Sequence, residues 1–184
     1  MKTFEFTIIA SGLDHRASDF ERRIHDSGCS DATPSFQKGH IILEFARDSD
    51  SVDQAVASAI SDVRAAGATV ERVEPDPLVS LSEIAARSGL TRSALTQYAK
   101  GQRGRGFPAP VAKITSESPL WDWATVTLWL YRRKKVSRAI AIQAAAVGGA
   151  NDAILRKDPD IARTIGNWVS EYETMLRDPH FAPA

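Results

Sequence analysis

The sequence predicts an α+β protein, because strand-like and helix-like patterns occupy different stretches of the chain. Residues 1–74 mix short alternating apolar runs with two helical stripes, and residues 78–135 contain short helical patterns around a glycine-rich stretch. Residues 136–184 show helical patterns alone. We therefore predict an N-terminal domain, a central domain and a C-terminal helical tail with these boundaries.

The first domain is predicted to start with a strand. Residues 3–10 alternate between apolar and polar side chains, which is typical of a strand with one buried face. A short helix is predicted next, from residue 18 or 19 to Ser27. Two extended runs on either side of Lys38-Gly39 then predict a β-hairpin, because glycine favours the tight turn that joins two strands.

The second half of this domain contains a longer helix and a last strand. Ser51, with Gln54 three residues later, predicts a capping box, and Gly67 is expected to end the helix. Residues 69–73 predict the closing strand. The order strand, helix, strand, strand, helix, strand resembles a ferredoxin-like βαββαβ fold, which hosts many functions. We expect residues 1–74 to be a regulatory or partner-binding domain, with a protein or a small molecule as the partner.

Charge is divided unevenly along the chain, although its 23 bases and 23 acids balance. Residues 1–77 contain 8 bases and 14 acids, residues 78–138 contain 11 and 3, and residues 139–184 contain 4 and 6. A basic segment between acidic flanks indicates a surface that attracts phosphates. The alternative is a solvated face whose charge evens out on the folded surface.

The central domain starts after Glu74-Pro75-Asp76-Pro77, where two prolines disfavour helix. Ser80 opens the pattern of a capping box, and the helix that it starts is expected to end at Gly89. Thr91 is the predicted cap of a second helix, which runs to about Lys100. Only a tight turn fits between the two helices, so they must cross at a steep angle.

This spacing matches a DNA-binding helix-turn-helix. Ala85 is small enough for the place where the helices touch, and Gly89 lies where the turn requires a positive φ. No acid occurs in residues 84–116, and a generic helical hairpin has less reason to lack acids. Short hydroxyls, an amide and bases can bond base edges and phosphates in a major groove. The predicted contacts on the second helix are Thr91, Arg92, Ser93, Thr96, Gln97 and Lys100.

The next stretch carries a family resemblance. It contains Phe107-Pro108-x-Pro110 and, further on, Trp121-x4-Val126-x2-Trp129-Leu130. With these motifs, residues 80–131 resemble the winged helix-turn-helix of phage excisionases and related MerR-type DNA-binding domains. The chain departs from that family at Thr125, where the family commonly has an acid that caps the closing helix, and in its longer glycine-rich stretch 101–106.

The resemblance implies a role for each matching residue. The prolines would lead into a small β wing, and the tryptophans and their apolar neighbours would be core residues. Residues facing the DNA groove would be Arg92, Ser93, Thr96 and Gln97, and residues that match contacts of the wing or of the DNA backbone would be Arg103, Arg105 and Lys113.

A basic run from Arg132 to Lys135, with Arg138 beyond it, extends the charged segment. Arg132 and Arg133 are predicted to contact phosphates from the closing helix, and the alternative is a solvated helix end. If about six phosphates are neutralised, the logarithm of the affinity should fall with the logarithm of salt concentration at a slope of about −5.

The C-terminal tail predicts two helices. The first covers residues 136–147 and is expected to end at Gly148-Gly149, and the second is expected to have Asp158 as its cap and Pro159 at its first position. An apolar seam on the second helix either lies on its own domain or forms a homodimer interface, which would suit a reader of two half-sites about 34 Å apart. The seam consists of Ile161, Ile165, Trp168, Tyr172 and Met175.

Catalytic and metal-binding patterns are weak. The histidines, His15, His25, His40 and His180, are scattered, and His25 with Cys29 would supply only two ligands. No nucleophile-elbow or phosphate-binding fingerprint occurs. We therefore expect a protein that is not an enzyme and needs no cofactor or metal. The single cysteine, the lack of a signal-peptide pattern and the short apolar runs favour a cytoplasmic protein without a membrane span.

These observations predict a sequence-specific double-stranded DNA-binding protein, a bacterial or phage-type transcription regulator. Its recognition helix, residues 92–99, would enter the major groove while the basic wing holds the DNA backbone. One alternative is an excisionase-like recombination directionality factor, which bends DNA. Another is a protein-interaction module whose first domain senses a small ligand. RNA binding, suggested by Arg103-Gly104-Arg105-Gly106, has less support.

Overall fold

The structure is a computed structural model, and it describes residues 1–178. His180 lies outside this range. The described residues contain seven helices and two antiparallel sheets, of four and two strands, which confirms the predicted α+β class. None of the described helices combines the length and the apolar composition that crossing a membrane requires.

Two compact units divide the chain. The first comprises residues 1–75 and 149–169, and the second comprises residues 76–148 and the residues from 170 onward. The change from one unit to the other after residue 75 falls in the predicted proline-containing boundary. The predicted tail, residues 136–184, is shared between the two units and does not form a third one.

The first unit contains four strands and two complete helices. They are β1 (Lys2–Ser11), α1 (Phe20–Asp26), β2 (Ala32–Gln37), β3 (His40–Ser49), α2 (Val52–Ala65) and β4 (Thr69–Glu74). The strands form one antiparallel sheet in the order β2-β3-β1-β4, and α2 packs against β1, β3 and β4. The order of strands and helices along the chain is the predicted one.

Alternation of side chains gives this sheet one buried face. Phe6 and Ile8 of β1 and Leu43 and Phe45 of β3 are buried, and the rings of Phe6 and Phe45 stack with centroids 5.3 Å apart. Helix α2 covers the same face with an apolar stripe, because residues three and four apart lie on one side of a helix. Hydrophobic burial between the sheet and the helix therefore stabilises the unit.

The opposite face of the sheet is acidic. Glu44, Thr7 and Glu74 stand in one row across β3, β1 and β4, because directly paired residues project from the same side of a sheet. Glu5 and Asp48 lie on that same side of β1 and β3. Glu5, Glu44 and Asp48 are exposed and Glu74 is half-buried. Arg72 of β4, which pairs with Ile9, lies on the same side, with its Nε 3.7 Å from Oε1 of Glu74. Because these four carboxylates outnumber that guanidinium group, the face disfavours phosphates.

Arg47 is a buried cation at the end of β3. Its side chain is 8% exposed and bonds both carboxylate oxygens of Asp31, through Nε at 2.8 Å and Nη2 at 2.9 Å. Nη1 donates to Oδ2 of Asp62 at 2.7 Å and to the hydroxyl of Ser58 at 3.0 Å, and Nη2 donates to the carbonyl of Gly28 at 2.8 Å. A buried charge is tolerated only when it is paired and hydrogen-bonded. The network joins β3 to α2 and to the loop before β2.

The β4 edge of the sheet is closed by a side-chain amide. Asn151 lies in helix α6 (Arg138–Leu155), and its Nδ2 donates to the carbonyl of Val73 at 2.8 Å. The amide of Val73 donates in return to Oδ1 of Asn151 at 3.1 Å. These two bonds replace those of a neighbouring strand, so the edge is not open to pairing at this point.

Helix α6 shows that the predicted helix end at Gly148-Gly149 is wrong, because the helix continues to Leu155. A Cβ on Gly149 would lie 2.9 Å from Cγ of Trp168, which belongs to helix α7 (Ile161–Arg177). Gly149 therefore permits a close approach of two helices and does not end one.

Two predicted helix caps are also wrong. Ser51 occupies the N-cap position of α2, but its side chain makes no cap hydrogen bond, so the predicted capping box with Gln54 does not form. Helix α7 is capped by Asp160, whose Oδ1 accepts from the amide of Arg163 at 3.2 Å. Asp158, the predicted cap, instead accepts from the amide of Asp160 at 2.8 Å.

The predicted apolar seam of α7 is largely buried inside the chain. Ile161, Ile165 and Tyr172 are 6%, 0% and 7% exposed, and Met175 is half-buried. Trp168 is 39% exposed. The burial favours the interpretation that α7 lies on its own protein over the interpretation that the seam pairs with a second chain.

The second unit is built around an aromatic-rich core. Its elements, with parts of α6 and α7, are β5 (Leu78–Val79), α3 (Leu81–Ser88), α4 (Arg92–Ala99), β6 (Trp121–Asp122) and α5 (Trp123–Arg132). Strands β5 and β6 pair antiparallel. The predicted core residues Trp121, Val126, Trp129 and Leu130 are all buried, which confirms that prediction. The hydroxyl of Tyr172 from α7 bonds the hydroxyl of Thr127 at 2.8 Å, which ties α7 to α5.

We expect Arg47→Ala to lower the free energy of unfolding by about 3 kcal/mol, because two part-buried carboxylates lose their partner. Urea denaturation followed by circular dichroism measures the change. Arg22→Ala, at an exposed position of α1, is the matched control and should change stability by less than about 0.5 kcal/mol. A loss below about 1 kcal/mol for Arg47→Ala would contradict a stabilising role for the network.

Candidate nucleic-acid interface

Helices α3 and α4 are joined by a tight, capped turn. Oγ of Ser80 accepts from the amide of Glu83 at 3.3 Å, and the amide of Ser80 donates to Oε2 of Glu83 at 2.7 Å. The hydroxyl of Ser80 also donates to Oε2 of Glu83 at 2.7 Å, and the two bonds that the amide and the hydroxyl donate to this carboxylate lower the pKa of Glu83. Gly89 ends α3 with a φ of 71°, and Oγ1 of Thr91 accepts from the amide of Ala94 at 3.2 Å to start α4. The predicted caps and the left-handed glycine of this turn are confirmed.

One side of α4 is fixed in the core. Leu95 is fully buried and Tyr98 is 8% exposed. Tyr98 and Phe107 pack edge-to-face on Trp129 of α5, with centroid distances of 4.9 and 5.0 Å. Nε1 of Trp129 donates to the carbonyl of Arg105 at 3.1 Å. This aromatic cluster, Tyr98, Phe107 and Trp129, fixes the rotation of α4 about its own axis.

The other side of α4 faces solvent. Ser93, Gln97 and Lys100 lie opposite the buried residues, because positions three and four apart share one side of a helix. Arg92 and Thr96 lie beside them on an adjacent strip. Five of the six residues predicted for this face are exposed, and Thr96 is half-buried with its hydroxyl donating to the carbonyl of Arg92 at 2.9 Å.

Residues 111–120 form a short hairpin after the prolines, and we refer to it as the 111–120 hairpin. The amide of Val111 donates to the carbonyl of Leu120 at 2.8 Å and closes the stem. The chain turns at Lys113, which has a φ of 50°, and the carbonyl of Lys113 accepts from both the amide and the hydroxyl of Ser116 at 2.9 Å. Lys113 is exposed at the tip of the hairpin.

A groove of about 480 Å³ lies between α4 and the 111–120 hairpin, and the start of α3 also lines it. Nη1 of Arg92 donates to the hydroxyl of Ser82 at 2.6 Å, so its guanidinium is held at the first turn of α3. Arg92 and Lys100 bring positive charge to the groove, and Glu117 brings one carboxylate. Hydroxyl-bearing residues that line the groove are Ser80, Ser82, Thr96 and Ser118.

The glycine-rich stretch 101–106 folds back on the aromatic cluster. Gly104 has a φ of 71°, and a Cβ there would lie 3.3 Å from the ring of Tyr98. The guanidinium carbon of Arg103 lies 5.4 Å from the centre of the same ring. Arg103 and Arg105 are exposed, so both predicted bases can still meet phosphates.

Arg132 and Arg133, which are predicted to contact phosphates, are half-buried and have partners inside the protein. Nη2 of Arg132 donates to the carbonyl of Met175 at 3.2 Å, where the last turn of α7 favours a cation. The guanidinium carbon of Arg133 lies 3.7 Å from the centre of the Trp129 ring. Burial there lowers the pKa of Arg133. Both side chains contribute to packing of the second unit.

Three residues near the groove escaped the sequence reasoning. Asp122 caps α5, because its Oδ2 accepts from the amide of Thr125 at 2.7 Å and from its hydroxyl at 2.6 Å. This chain lacks an acid at Thr125, but Asp122 supplies the cap from three residues earlier, and the Asp-x-x-Thr spacing could have revealed it. No sequence signal indicated that Ser82 and Glu117 line the same groove as α4.

Metal ligands are not grouped in the part of the chain that the structure describes. Among residues 1–178, no three His, Cys, Asp or Glu side chains are placed together as a metal ion would require. Nδ1 of His25 lies 3.5 Å from Oδ1 of Asp26, and Cys29 is buried. Burial raises the pKa of the Cys29 thiol, which disfavours the thiolate that binds metals.

Comparison with protein-family models, with curated proteins and with solved structures gives no match. The functional interpretation therefore depends on the residues of this chain and on the geometry of the groove beside α4.

We expect Ser80→Ala to lower the free energy of unfolding by about 1 kcal/mol at pH 7, because the amide of Glu83 loses its acceptor and the carboxylate of Glu83 loses the hydroxyl that donates to it. The folded-state pKa of Glu83 lies below its ordinary value of 4.5. The stability that it contributes is therefore present above pH 4.5 and is lost as the pH falls through the folded-state pKa.

Denaturation of wild type and variant between pH 7 and pH 3 tests this prediction, and the difference between them should shrink in the acidic part of the range. Ser93→Ala, on the exposed side of α4, is the control and should change stability by less than about 0.5 kcal/mol. A difference that stays constant across the range would show that the hydroxyl of Ser80 does not stabilise the carboxylate of Glu83.

Proposed function

We propose that the chain is a sequence-specific double-stranded DNA-binding protein that acts in the cytoplasm as a transcription regulator. The second unit is a winged helix-turn-helix in which α4 is the recognition helix and the 111–120 hairpin is the wing. The observation that carries the proposal is the outward side of α4. It exposes Ser93, Gln97 and Lys100, carries no acid, and borders a groove that contains Arg92.

The dimensions of α4 suit a major groove. A helix about 10–12 Å across fits into a groove about 12 Å wide, with the outward side chains against the base edges. The amide of Gln97 can bond an adenine through two hydrogen bonds, and Ser93 can bond several bases. The sugar-phosphate strand that borders the major groove would lie between α4 and the 111–120 hairpin. Serine and threonine hydroxyls in that groove suit phosphate oxygens.

Charge in the second unit supports the same docking. Five of the predicted bases are exposed, namely Arg92, Lys100, Arg103, Arg105 and Lys113, whereas Arg132 and Arg133 are half-buried. Glu117 would repel a phosphate beside it, so the DNA strand is expected to lie closer to α4 than to the 111–120 hairpin. Repulsion by Glu117 therefore helps to fix the position of the DNA strand in the groove.

The first unit is proposed to be a ferredoxin-like regulatory domain. Its open sheet face carries Glu5, Glu44, Asp48 and Glu74 and is therefore unsuited to nucleic acid. A protein or a small molecule is the expected partner of this unit. A homodimer would place two recognition helices on adjacent half-sites. Because most of the α7 seam is buried, the dimer interface would need surface beyond that seam, around the exposed Trp168.

A second candidate function is an excisionase-like recombination directionality factor. It is favoured by the exposed aliphatic side chains of the 111–120 hairpin, since proteins that bend DNA often present apolar residues to it. A protein-interaction module is the remaining alternative, and it predicts no retention on heparin and no binding to duplex DNA.

We expect the protein to bind duplex DNA with a logarithmic salt slope of about −4.5, because five exposed bases neutralise about five phosphates. Fluorescence anisotropy of a labelled duplex, titrated over a series of salt concentrations, measures the slope. Lys113→Gln should make the slope less steep by about 1. Lys157→Gln, an exposed lysine of the first unit, is the matched control and should leave the slope unchanged. No binding in dilute buffer would refute the proposed function.

We expect Gln97→Ala to cost about 1–3 kcal/mol on a duplex selected from a random pool, and little on an unrelated duplex, because the amide reads a base. Arg92→Ala should weaken binding to both duplexes equally, because Ser82 holds its guanidinium in the strand-binding groove. Arg163→Ala, exposed in the first unit, is the control for both variants. Equal losses for Gln97→Ala on the two duplexes would show that α4 does not read sequence through this residue.

A further inference from the structure

The tip of the 111–120 hairpin presents an apolar side chain to solvent. Ile114 is 67% exposed and Val111, at the stem, is 55% exposed, whereas Ile84, Leu95 and Leu130 of the same unit are fully buried. A single exposed aliphatic residue is ordinary on a protein surface. Ile114 differs from that ordinary case in two respects, which are the rigidity of its support and its position beside the candidate recognition helix.

Hydrogen bonds hold the tip in one conformation. The amide and the hydroxyl of Ser116 both donate to the carbonyl of Lys113, and the amide of Ser118 donates to the hydroxyl of Ser116 at 3.2 Å. The stem continues into Trp121, whose Nε1 donates to the buried carbonyl of Pro108 at 3.0 Å. Ile114 therefore lies on a hydrogen-bonded turn. A side chain needs such support if it is to displace stacked bases.

The position of the hairpin follows from the groove that it shares with α4. Pro110, Glu117 and Pro119 of the hairpin and its flanks line that groove opposite Arg92 and Thr96. If α4 lies in a major groove and a sugar-phosphate strand lies between α4 and the hairpin, the far side of that strand is the neighbouring minor groove. The tip of the hairpin then reaches this minor groove, which is about 6 Å wide and admits a narrow turn.

The tip sequence suits contact with a base step more than readout of base edges. Lys113, Ile114 and Thr115 offer one cation, one branched aliphatic side chain and one hydroxyl. Of the residue types that commonly read the minor groove by hydrogen bonds, which are arginine, lysine, asparagine and glutamine, these three positions contain only Lys113. Aliphatic side chains are instead used as wedges between base pairs, where they replace stacking with apolar contact.

Building on the proposed DNA binding, we propose that Ile114 is an apolar wedge that enters the minor groove and partly unstacks one base step. The duplex then bends away from the hairpin, toward the major-groove side of that base step. Lys113, next to the wedge, contacts a flanking phosphate. The chain is accordingly a DNA-bending protein as well as a DNA-binding one. Its site should contain a flexible pyrimidine–purine step at the position of the hairpin, because such steps unstack at the lowest cost.

The experiment uses the full chain and a selected duplex of about 30 base pairs with a donor and an acceptor dye at its two ends. In a second series of duplexes, 2-aminopurine replaces one purine per duplex, at each of the base steps that flank the α4 site. Binding of the wild type should raise energy transfer, consistent with a bend of about 20–90°, and should raise 2-aminopurine fluorescence at one step. Affinity is measured on the same samples by anisotropy.

Ile114→Ser should bind within about tenfold of the wild type, because the lost apolar contact is offset by the restored base stacking. It should lose most of the rise in energy transfer and in 2-aminopurine fluorescence. Ile114→Leu, which keeps an aliphatic tip, should restore both signals. Leu155→Ser, at an aliphatic side chain that is 82% exposed in the first unit, is the matched control and should behave as the wild type.

The outcomes separate the wedge from the proposed function. A wild type that binds no duplex removes the proposed DNA binding and the wedge with it. A wild type that binds but leaves both signals unchanged overturns the wedge alone. The same conclusion follows if Ile114→Ser bends and unstacks the duplex as well as the wild type does.

Discussion

The packing of Tyr98 and Phe107 on Trp129 is the interaction on which the candidate site depends. The two rings meet the indole edge-to-face, and the indole Nε1 is held by the carbonyl of Arg105. Because Tyr98 is part of α4, this contact decides which side of the helix is buried and leaves Ser93 and its neighbours exposed. Large aromatic side chains bury enough surface to fix such an orientation, whereas polar contacts on the exposed side could not. The same cluster supports the glycine-rich stretch and, through Arg133, the end of α5.

The neutral chain is composed of two units with opposite surface chemistry. In the first unit, carboxylates cover the open face of the sheet, and the buried Arg47 is fully engaged with Asp31 and Asp62. In the second unit, exposed bases accompany a helix face without acids. A polyanion, such as the proposed DNA, would therefore be attracted to the second unit only. This division explains why the average charge of the chain gives no indication of its function.

Local rules predicted the turn between α3 and α4 well and the helix ends elsewhere less well. The caps at Ser80 and Thr91 were predictable, because a cap joins atoms three residues apart and needs no other part of the protein. Ser51 had the same sequence pattern, yet its hydroxyl is buried without the cap bond once α2 packs on the sheet. Gly149 matched a helix end, but the approach of Trp168 from another helix makes it an interior position. Arg132 matched a basic helix end, but the last turn of α7 binds it.

The sequence by itself determined the order of strands and helices, the segregation of charge and the polar composition of α4, because periodicity and neighbouring residues decide these properties. Only the tertiary structure decided that Arg132 is held inside the protein, because the carbonyl that it bonds belongs to Met175, 43 positions further along the chain. It also brought Arg92 to Ser82 and placed Glu117 in the same groove as α4. These contacts join residues that are ten or more positions apart, and their distances depend on packing of the core that no local pattern encodes.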